Sequence, residues 1–391
     1  MKKFILVLIV FTLFASLGYA ELLTRGELRT RMALFYDIGV DQPTRSVTDS
    51  RFQMTFEQRF SEYLTGVWKV QVGDIVWGEE GADLGAGDVN IKTQNLYMGF
   101  LCPLTGVNAK IGIQEWSDPR SLVLDDDKAP FAGIMLNKEF GDGIMVGLGT
   151  AKLYEGEFDA DEDIDLFFVN FGTDMFGLDT IFRRWEAGSN LDIWAMPYFN
   201  YKIEDLELNL LVALNQANYS EFIITEEGAE DYSNTGFAFS LKGAYDLDPL
   251  LLGLDFLYTS GDDGSDPTST SYFNSIHPYY QNGLEILGIG IHSGVGEGIE
   301  PGNDGHGLMS IVLKGDYPAN ENLTLKGAFG FMNAVEAEET DMGLEINLGM
   351  NYKFYRNLSF DLVGAMAMPG EFFGPDLDNT LALVSRFMYK F

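Results

Sequence analysis

The chain has few residues that could bind a metal ion or cleave a bond. Its three histidines all lie in or beside residues 261–305: His277, His292 and His306. Carboxylates of the same segment could add further ligands: Asp262, Asp263 and Asp304. A metal site needs three or four donors that converge at a defined spacing, and no such spacing is present. Polar loop residues are the default interpretation, and metal binding is left open.

Enzymatic chemistry has no signature either. A hydrolase built on a barrel would need a nucleophile and a histidine on adjacent strands near one rim, and no Ser–His pair stands out. The glycine-rich stretch Gly288–Gly298 does not lie between a strand and a helix, so it does not indicate a nucleotide loop. We therefore predict that the chain is not an enzyme and carries no cofactor.

Acidic residues occur in dense runs that lack the Asp-x-Asp-x-Asp-Gly spacing of a calcium loop. These runs are Asp125–Asp127, Glu155–Asp165, Glu226–Asp231 and Glu336–Asp341. The plain interpretation is solvated loops, and a sharper one is divalent-cation bridging to lipopolysaccharide. The chain has 25 basic and 59 acidic residues, a net charge of −34. A nucleic-acid partner is excluded, because a phosphate backbone needs a basic surface.

The first residues predict export. Lys2 and Lys3 precede the apolar run Phe4–Ser16, and small residues follow at Gly18 and Ala20, a combination that is typical of a secretory signal peptide. We expect residues 1–20 to be cleaved and residues 21–391 to form a single domain. Removal of the two signal lysines would leave 23 basic residues and a net charge of −36.

The carboxyl-terminal part shows the clearest periodicity. In Gly343–Phe354, GLEINLGMNYKF, every second residue is apolar, which is the period of a strand with one apolar face. Other segments repeat the alternation: Leu28–Leu34, Phe52–Glu57, Trp68–Val72, Val107–Gln114, Phe237–Lys242, Leu323–Phe329, Leu358–Leu362 and Leu381–Phe391. The alternation is weaker in Ile134–Leu153 and Ile164–Arg184.

Short and long connections alternate along the chain. Glu204-Asp205 and Arg356-Asn357 are short, whereas Asp74–Asp88, Asn215–Asn234 and Gly261–Gly305 are long. Short turns at one end and long loops at the other are typical of outer-membrane barrels. We therefore predict an all-β fold: a transmembrane antiparallel up-and-down β-barrel of about 18 strands, with 16 as the alternative.

The polar face of these strands is predicted to line the lumen. A charge that faces lipid costs about 2–4 kcal/mol at the bilayer midplane, so charges within strands should point inward. The predicted pore-lining residues are Arg29, Arg31, Arg51, Lys69, Lys110, Lys242, Lys326, Glu345 and Lys353. Most are basic, which predicts a partial basic belt within a channel that has an acidic mouth.

Several segments resemble the alginate-export-like outer-membrane porins. The last fifty residues are similar to the final three strands of that family, with Gly343-Leu344-Glu345, Tyr352-Lys353-Phe354 and Pro369-Gly370 at its recurring positions. Thr259–Tyr280 is similar to its longest loop, and Gly26–Arg31 to its first strand. The resemblance implies an ~18-stranded barrel that passes a polysaccharide or small solutes.

We therefore expect an outer-membrane porin of a Gram-negative bacterium that allows diffusion or export of small polar solutes or saccharides. The alternative is a non-conducting surface barrel that acts as a receptor or adhesin through its long acidic loops. Tyr389 and Phe391 resemble the terminal signal that the barrel-assembly machinery reads. Expected partners are that machinery, outer-membrane lipid, lipopolysaccharide and the transported solute.

Overall fold

The computed structural model describes residues 21–36, 44–78, 90–125, 130–154, 163–185, 190–225, 228–289, 299–375 and 377–391. Its strands are β1 (Glu21–Tyr36), β2 (Thr44–Ser61), β3 (Leu64–Val76), β4 (Ile91–Leu101), β5 (Asn108–Gln114), β6 (Phe131–Phe140), β7 (Ile144–Tyr154), β8 (Ile164–Gly172), β9 (Phe176–Trp185), β10 (Asn190–Ile203), β11 (Leu206–Thr225), β12 (Gly228–Asp246), β13 (Leu251–Thr259), β14 (Ser269–Thr270), β15 (Leu308–Pro318), β16 (Leu323–Ala334), β17 (Asp341–Tyr355), β18 (Leu358–Pro369) and β19 (Thr380–Lys390). The predicted signal peptide lies outside the described residues.

Eighteen of these nineteen strands close into a barrel. Each pairs antiparallel with its neighbours in chain order, and β1 pairs with both β2 and β19. The exception is β14, a two-residue strand that pairs parallel with β12 inside a loop, so β13 pairs directly with β15. The closed antiparallel barrel of 18 strands confirms the predicted fold class. Closure leaves no sheet edge unpaired.

The outer face of the barrel is an apolar belt. Large hydrophobic side chains are exposed at every second position along most strands, among them Leu28, Met32, Leu96, Met98, Ile111, Leu148, Val169, Leu214, Leu313, Phe329, Leu348 and Phe387. An outward apolar band on a closed barrel is the surface that a lipid bilayer requires. No helix in the described part of the chain is long and apolar enough to span a membrane.

The two ends of the barrel differ. At the end that carries Glu21 and Phe391, the connections include the two-residue turns 62–63, 204–205 and 356–357.

The predicted long loop Asn215–Asn234 is wrong in part. β11 and β12 extend through most of it, and Tyr219 stacks on Tyr232 at 5.5 Å between ring centroids.

Two connections from the long-loop end fold into the barrel. We name residues 115–125, after β5, inner loop 1, and residues 260–289 with 299–307, between β13 and β15, inner loop 2. Arg120 of inner loop 1 contacts Ser240 on β12 and Asp255 on β13, which lie seven and eight strands around the barrel from β5. A contact across almost half the circumference requires passage through the interior.

The apolar core lies between these loops and the barrel wall. Buried inner-loop residues such as Leu122, Leu124, Phe273 and Ile286 belong to one cluster with inward residues of β6 to β13. The wall side of that cluster includes Phe131, Met135, Leu166, Phe168, Ile181, Trp194, Met196, Leu211, Ala213, Ala238 and Leu257. The same cluster continues on β1 and β15 to β19 with Ala33, Phe35, Leu308, Val312, Met332, Ala334, Met342, Ala365, Ala367, Ala382 and Val384. The packed core therefore reaches most of the wall, and its largest fully buried wall residues lie along β6 to β13.

Candidate channel lumen

The inner loops meet the wall at Asp255, which is 2% exposed. Its Oδ1 accepts hydrogen bonds from Arg120 Nη2 at 2.8 Å and from the Tyr280 hydroxyl at 2.6 Å. Burial raises the pKa of Tyr280 well above its ordinary value, and the negative charge of Asp255 acts in the same direction. The hydroxyl of Tyr280 therefore stays protonated and acts as the donor to Asp255.

A second buried carboxylate holds the tip of inner loop 2. Glu345 of β17 is fully buried, and its two oxygens accept the backbone N–H groups of Glu285, Ile286 and Leu287. This arrangement turns the side chain of Glu285 toward β19, where it pairs with Arg386. Glu345 therefore contacts loop backbone inside the barrel and does not stand free in open lumen.

Four arginines lie side by side on the inward face of β19, β1 and β2. Arg31 is the cross-strand neighbour of Arg386, and Arg29 is the neighbour of Arg51. Arg29 and Arg31 share Asp49, with Arg29 also reaching Asp74, while Arg51 pairs with Glu27. We name Arg29, Arg31, Arg51 and Arg386 the arginine row.

Two cavities flank the tip of inner loop 2. One, of about 290 Å³, is lined by Arg29, Arg31 and Tyr279 among others. The other, of about 250 Å³, is lined by Lys314, Lys326 and Asp361 among others. Both include Gly283, Glu285 and Arg386 in their lining. The Arg386–Glu285 ion pair therefore stands where the two cavities adjoin.

The remaining predicted lumen residues lie at different places on the inward face. Lys69 bonds to Glu115 at 2.6 Å, and Lys326 lies 3.8 Å from Asp361. Lys110 lies 5.4 Å from the centroid of the Tyr97 ring. Lys242 is the cross-strand neighbour of Asp255, and Lys353 is exposed near the end of β17. That these side chains line a conducting path stays a prediction.

Ion pairing changes the electrostatics that the sequence predicts. The arginine row carries four positive charges, and its carboxylate partners Asp49, Asp74, Glu27 and Glu285 carry four negative charges, so the local net charge is zero. Two buried donors of the row, Arg29 Nε and Arg51 Nε, have no acceptor in the described part of the protein.

Sequence reasoning missed Arg386, Glu285, Arg120 and Asp255. Arg386 had a detectable signal, because it lies opposite the apolar stripe of the last strand. Glu285 and Arg120 had none, because both belong to loops whose inward path depends on the closed barrel. Among the residues that the structure describes, no group of three or more His, Cys, Asp or Glu could hold a metal ion. His292 lies outside that part of the chain.

The two residues of the predicted assembly signal lie at the seam between the first and last strands. Phe391 and Gly26 exchange two backbone hydrogen bonds of 2.9 and 3.0 Å. The Phe391 ring stacks on Phe52 of β2 and on Tyr389, with centroids 6.1 and 5.8 Å away. The terminal aromatics therefore cover the seam on the outer face.

Comparison with solved structures identifies the fold. OpdO of Pseudomonas aeruginosa is 15% identical, with a TM-score of 0.58 over 95% of this chain and 97% of its own. OccAB1 of Acinetobacter baumannii is 12% identical, with a TM-score of 0.59 over 94% and 96%. OpdK of Pseudomonas aeruginosa, solved with vanillate, is 12% identical, with a TM-score of 0.55 over 94% and 99%.

The chain has the fold of these outer-membrane porins. No protein-family model and no curated protein matches its sequence. At such low identity the likeness concerns the fold, and it agrees with the apolar belt in indicating an outer-membrane barrel.

Proposed function

We propose that the chain is a substrate-selective diffusion channel of the Gram-negative outer membrane, which passes small polar solutes that carry an acidic group. The observation that carries the proposal is the arginine row beside two adjoining cavities. A guanidinium group binds carboxylates and phosphates through a planar fork of donors. A solute with an acidic group can therefore bind to the row in passing.

Because its charge is balanced, the arginine row suits transient binding of a passing solute better than tight binding. Conduction requires binding that is favourable enough for entry and weak enough for release. Each arginine already has a carboxylate partner in the protein, so a solute must exchange with that partner and is released when the pair re-forms. The porin OpdK was solved with vanillate, and a carboxylate of that size suits the cavities beside the row.

Alginate and other saccharides have less support as the transported solute. A long polyanion such as alginate would need a path with net positive charge, whereas the arginine row and its partners sum to zero. Transport of alginate or of other saccharides therefore stays a prediction from the sequence resemblance. Lipopolysaccharide and the assembly machinery also stay predicted partners.

The test is the ion selectivity of the purified barrel in planar bilayers. The triple variant Arg29→Glu, Arg31→Glu, Arg51→Glu reverses three charges of the row, and we expect the reversal potential across a salt gradient to shift toward cation preference. The shift should be largest at low salt, where charges are least screened. A Lys202→Glu, Arg356→Glu variant changes two exposed charges near the short turns and should shift the potential much less.

Two outcomes would contradict the proposal. Equal selectivity of the triple variant and the parent would show that the arginine row does not line the conducting path. A folded parent barrel that passes no current would instead favour the receptor or adhesin alternative.

A further inference from the structure

A single buried network joins both inner loops to the barrel wall. Arg120 comes from inner loop 1, Tyr280 from inner loop 2 and Asp255 from β13. Their side chains are nearly inaccessible: Asp255 is 2% and Tyr280 1% exposed, and the Arg120 side chain is 10% exposed. Arg120 also lies over the Tyr280 ring, 5.7 Å from its centroid.

Arg120 uses its guanidinium group as a fork. Nη2 donates to Asp255 Oδ1 and Nε donates to Ser240 Oγ, both at 2.8 Å. Lys314 of β15 lies 3.7 Å from the other oxygen of Asp255. The network therefore links inner loop 1 to three consecutive wall strands, and its charges are shielded from water, which strengthens each contact.

Inner loop 1 is built to present Arg120 in this direction. The carboxylate of Asp118 accepts the backbone N–H groups of Arg120, Leu122, Val123 and Leu124. Burial raises the pKa of Asp118 while these four bonds act to lower it. The bonds fix the backbone of the loop in a tight turn, so the arginine leaves it in one direction.

The two loops also pair with each other. Val123 O accepts the N–H groups of Ile276 and His277, Ser121 O accepts that of Tyr279, and Asp125 N–H donates to His277 O. Inner loop 2 therefore rests on inner loop 1 and continues to Glu285 at the arginine row. A change at Arg120 can reach the cavities through this chain of contacts.

We propose that Arg120 is the positioning residue that sets the width of the channel. It holds inner loop 1 against the far wall, and inner loop 1 holds inner loop 2 against β10 to β17. Without Arg120 inner loop 1 can leave the wall, and residues 276–279 of inner loop 2, which rest on it, can follow and widen the lumen. Glu345 still holds the tip of inner loop 2. The conductance test of this proposal rests on the proposed channel function, whereas the amide-exchange test does not.

The first variant is Arg120→Ala, studied as the full-length mature barrel. We expect a severalfold rise in single-channel conductance and uptake of solutes that the parent excludes in liposome swelling. Arg120→Lys keeps the charge but lacks the fork, and we expect an intermediate conductance. The matched control is Arg183→Ala, which removes an equally buried arginine from a pair with Asp192 of the neighbouring wall strand, and we expect parental conductance.

A second variant covers the case in which Arg120→Ala fails to fold, because it leaves the buried carboxylate of Asp255 with only the 3.7 Å contact to Lys314 as an ion pair and loss of a buried partner is strongly destabilising. Arg120→Met, Asp255→Leu removes both charges together and should fold with the same widened lumen. Failure of both variants to form a heat-modifiable barrel would overturn the proposal, because it assigns the network to loop position and not to barrel closure.

Backbone amide exchange separates this proposal from the channel function. In the parent, the amides of Leu124, Ile276 and Tyr279 should be protected, and in Arg120→Ala they should exchange faster while strand amides stay protected. This result is expected whether or not the barrel conducts. Unchanged amide exchange in Arg120→Ala would overturn the proposal, and so would parental conductance and solute exclusion in a folded variant.

Discussion

The inner surface of the barrel has two contrasting walls. Along β6 to β13 the inward face carries the largest buried apolar side chains of the wall beneath the inner loops, as Leu166, Trp194 and Leu211 show with exposures of 0%, 0% and 1%. The polar groups on this face are buried in pairs, such as Asp255 with Arg120 and Asp192 with Arg183. Along β1 to β3 the inward face carries Arg29, Arg51 and other polar residues beside cavities. We name these the packed wall and the open wall.

The difference shows that the lumen of this barrel is not a uniform polar lining. The packed wall behaves as the core of a soluble protein, in which burial of apolar surface stabilises the fold by about 25 cal/mol per Å². The open wall is held by ion pairs between neighbouring strands and borders two cavities. On the proposed channel function, we expect selectivity to depend on the open wall and the width of the lumen to depend on the packed wall.

The largest expected difference between the two walls is in the free energy of unfolding after a carboxylate is placed on one wall or the other. Leu211→Asp puts a carboxylate into the packed core, where we expect a loss of about 3 kcal/mol or more in the free energy of unfolding. Thr55→Asp puts the same group on the open wall, in a cavity lined by Lys69 and Lys390, and should cost little. Urea unfolding in lipid vesicles measures both. Equal losses would show that the two walls do not differ.

The next effect concerns the seam between β1 and β19, which adjoins the open wall and depends on contacts at the outer face. We expect deletion of Phe391 to lower the amount of folded barrel in the outer membrane, because two backbone hydrogen bonds and the stacking on Phe52 are lost. Gly26→Val should act similarly, since a Cβ at Gly26 would lie 2.5 Å from the Phe391 ring and 2.7 Å from the Gln53 carbonyl oxygen.

The control for the seam is Gly364→Ala, in which the added Cβ would have its nearest neighbour at 3.9 Å. The folded fraction is measured as the fast-migrating band in unheated gel samples. If the folded fraction after deletion of Phe391 equals that of the parent, the assembly role that we predict for the terminal residues is wrong.

The smallest effect compares two tryptophans. Trp194 Nε1, on the packed wall, donates to the Asn274 carbonyl oxygen of inner loop 2 at 2.8 Å. Trp194→Phe should lower the free energy of unfolding by about 1 kcal/mol through loss of this bond. Trp68→Phe on the outer face keeps an aromatic ring beside Phe56 and loses a 3.5 Å contact to Thr93 Oγ1, so it should have less effect. A larger loss at Trp68 would count against the packed wall as the more rigid region.

The barrel and the two faces of each strand could be predicted from the sequence along the open wall, because polar residues alternate there with apolar residues. Leu28 and Phe52 belong to the apolar stripe of their strands and Arg29 and Arg51 to the opposite stripe, as their alternation indicates. That the arginines line a conducting path stays a prediction. The pattern weakened in Ile134–Leu153 and Ile164–Arg184, and the packed wall explains this. Both faces of several strands there are apolar, because one faces lipid and the other faces an inner loop.

Ion pairs and loop positions could not be predicted in this way. Asp49 lies outside the alternating segment Phe52–Glu57, yet it belongs to β2, is 4% exposed and pairs with two arginines. Asn215–Asn234 has a polar composition typical of a loop, yet cross-strand pairing and the stacking of Tyr219 on Tyr232 extend the hairpin. In each case the deciding partner is distant in sequence or lies on the adjacent strand.

The sequence by itself determined the architecture, because a bilayer demands that every second residue of a spanning strand be apolar and that all backbone groups be paired. Those demands act locally and can be recognised in a short window. Only the tertiary structure decided that Arg120 reaches Asp255 and that Glu285 meets Arg386, since those residues are 135 and 101 positions apart. Such pairs form only when eighteen strands close and bring opposite walls within the reach of an inner loop.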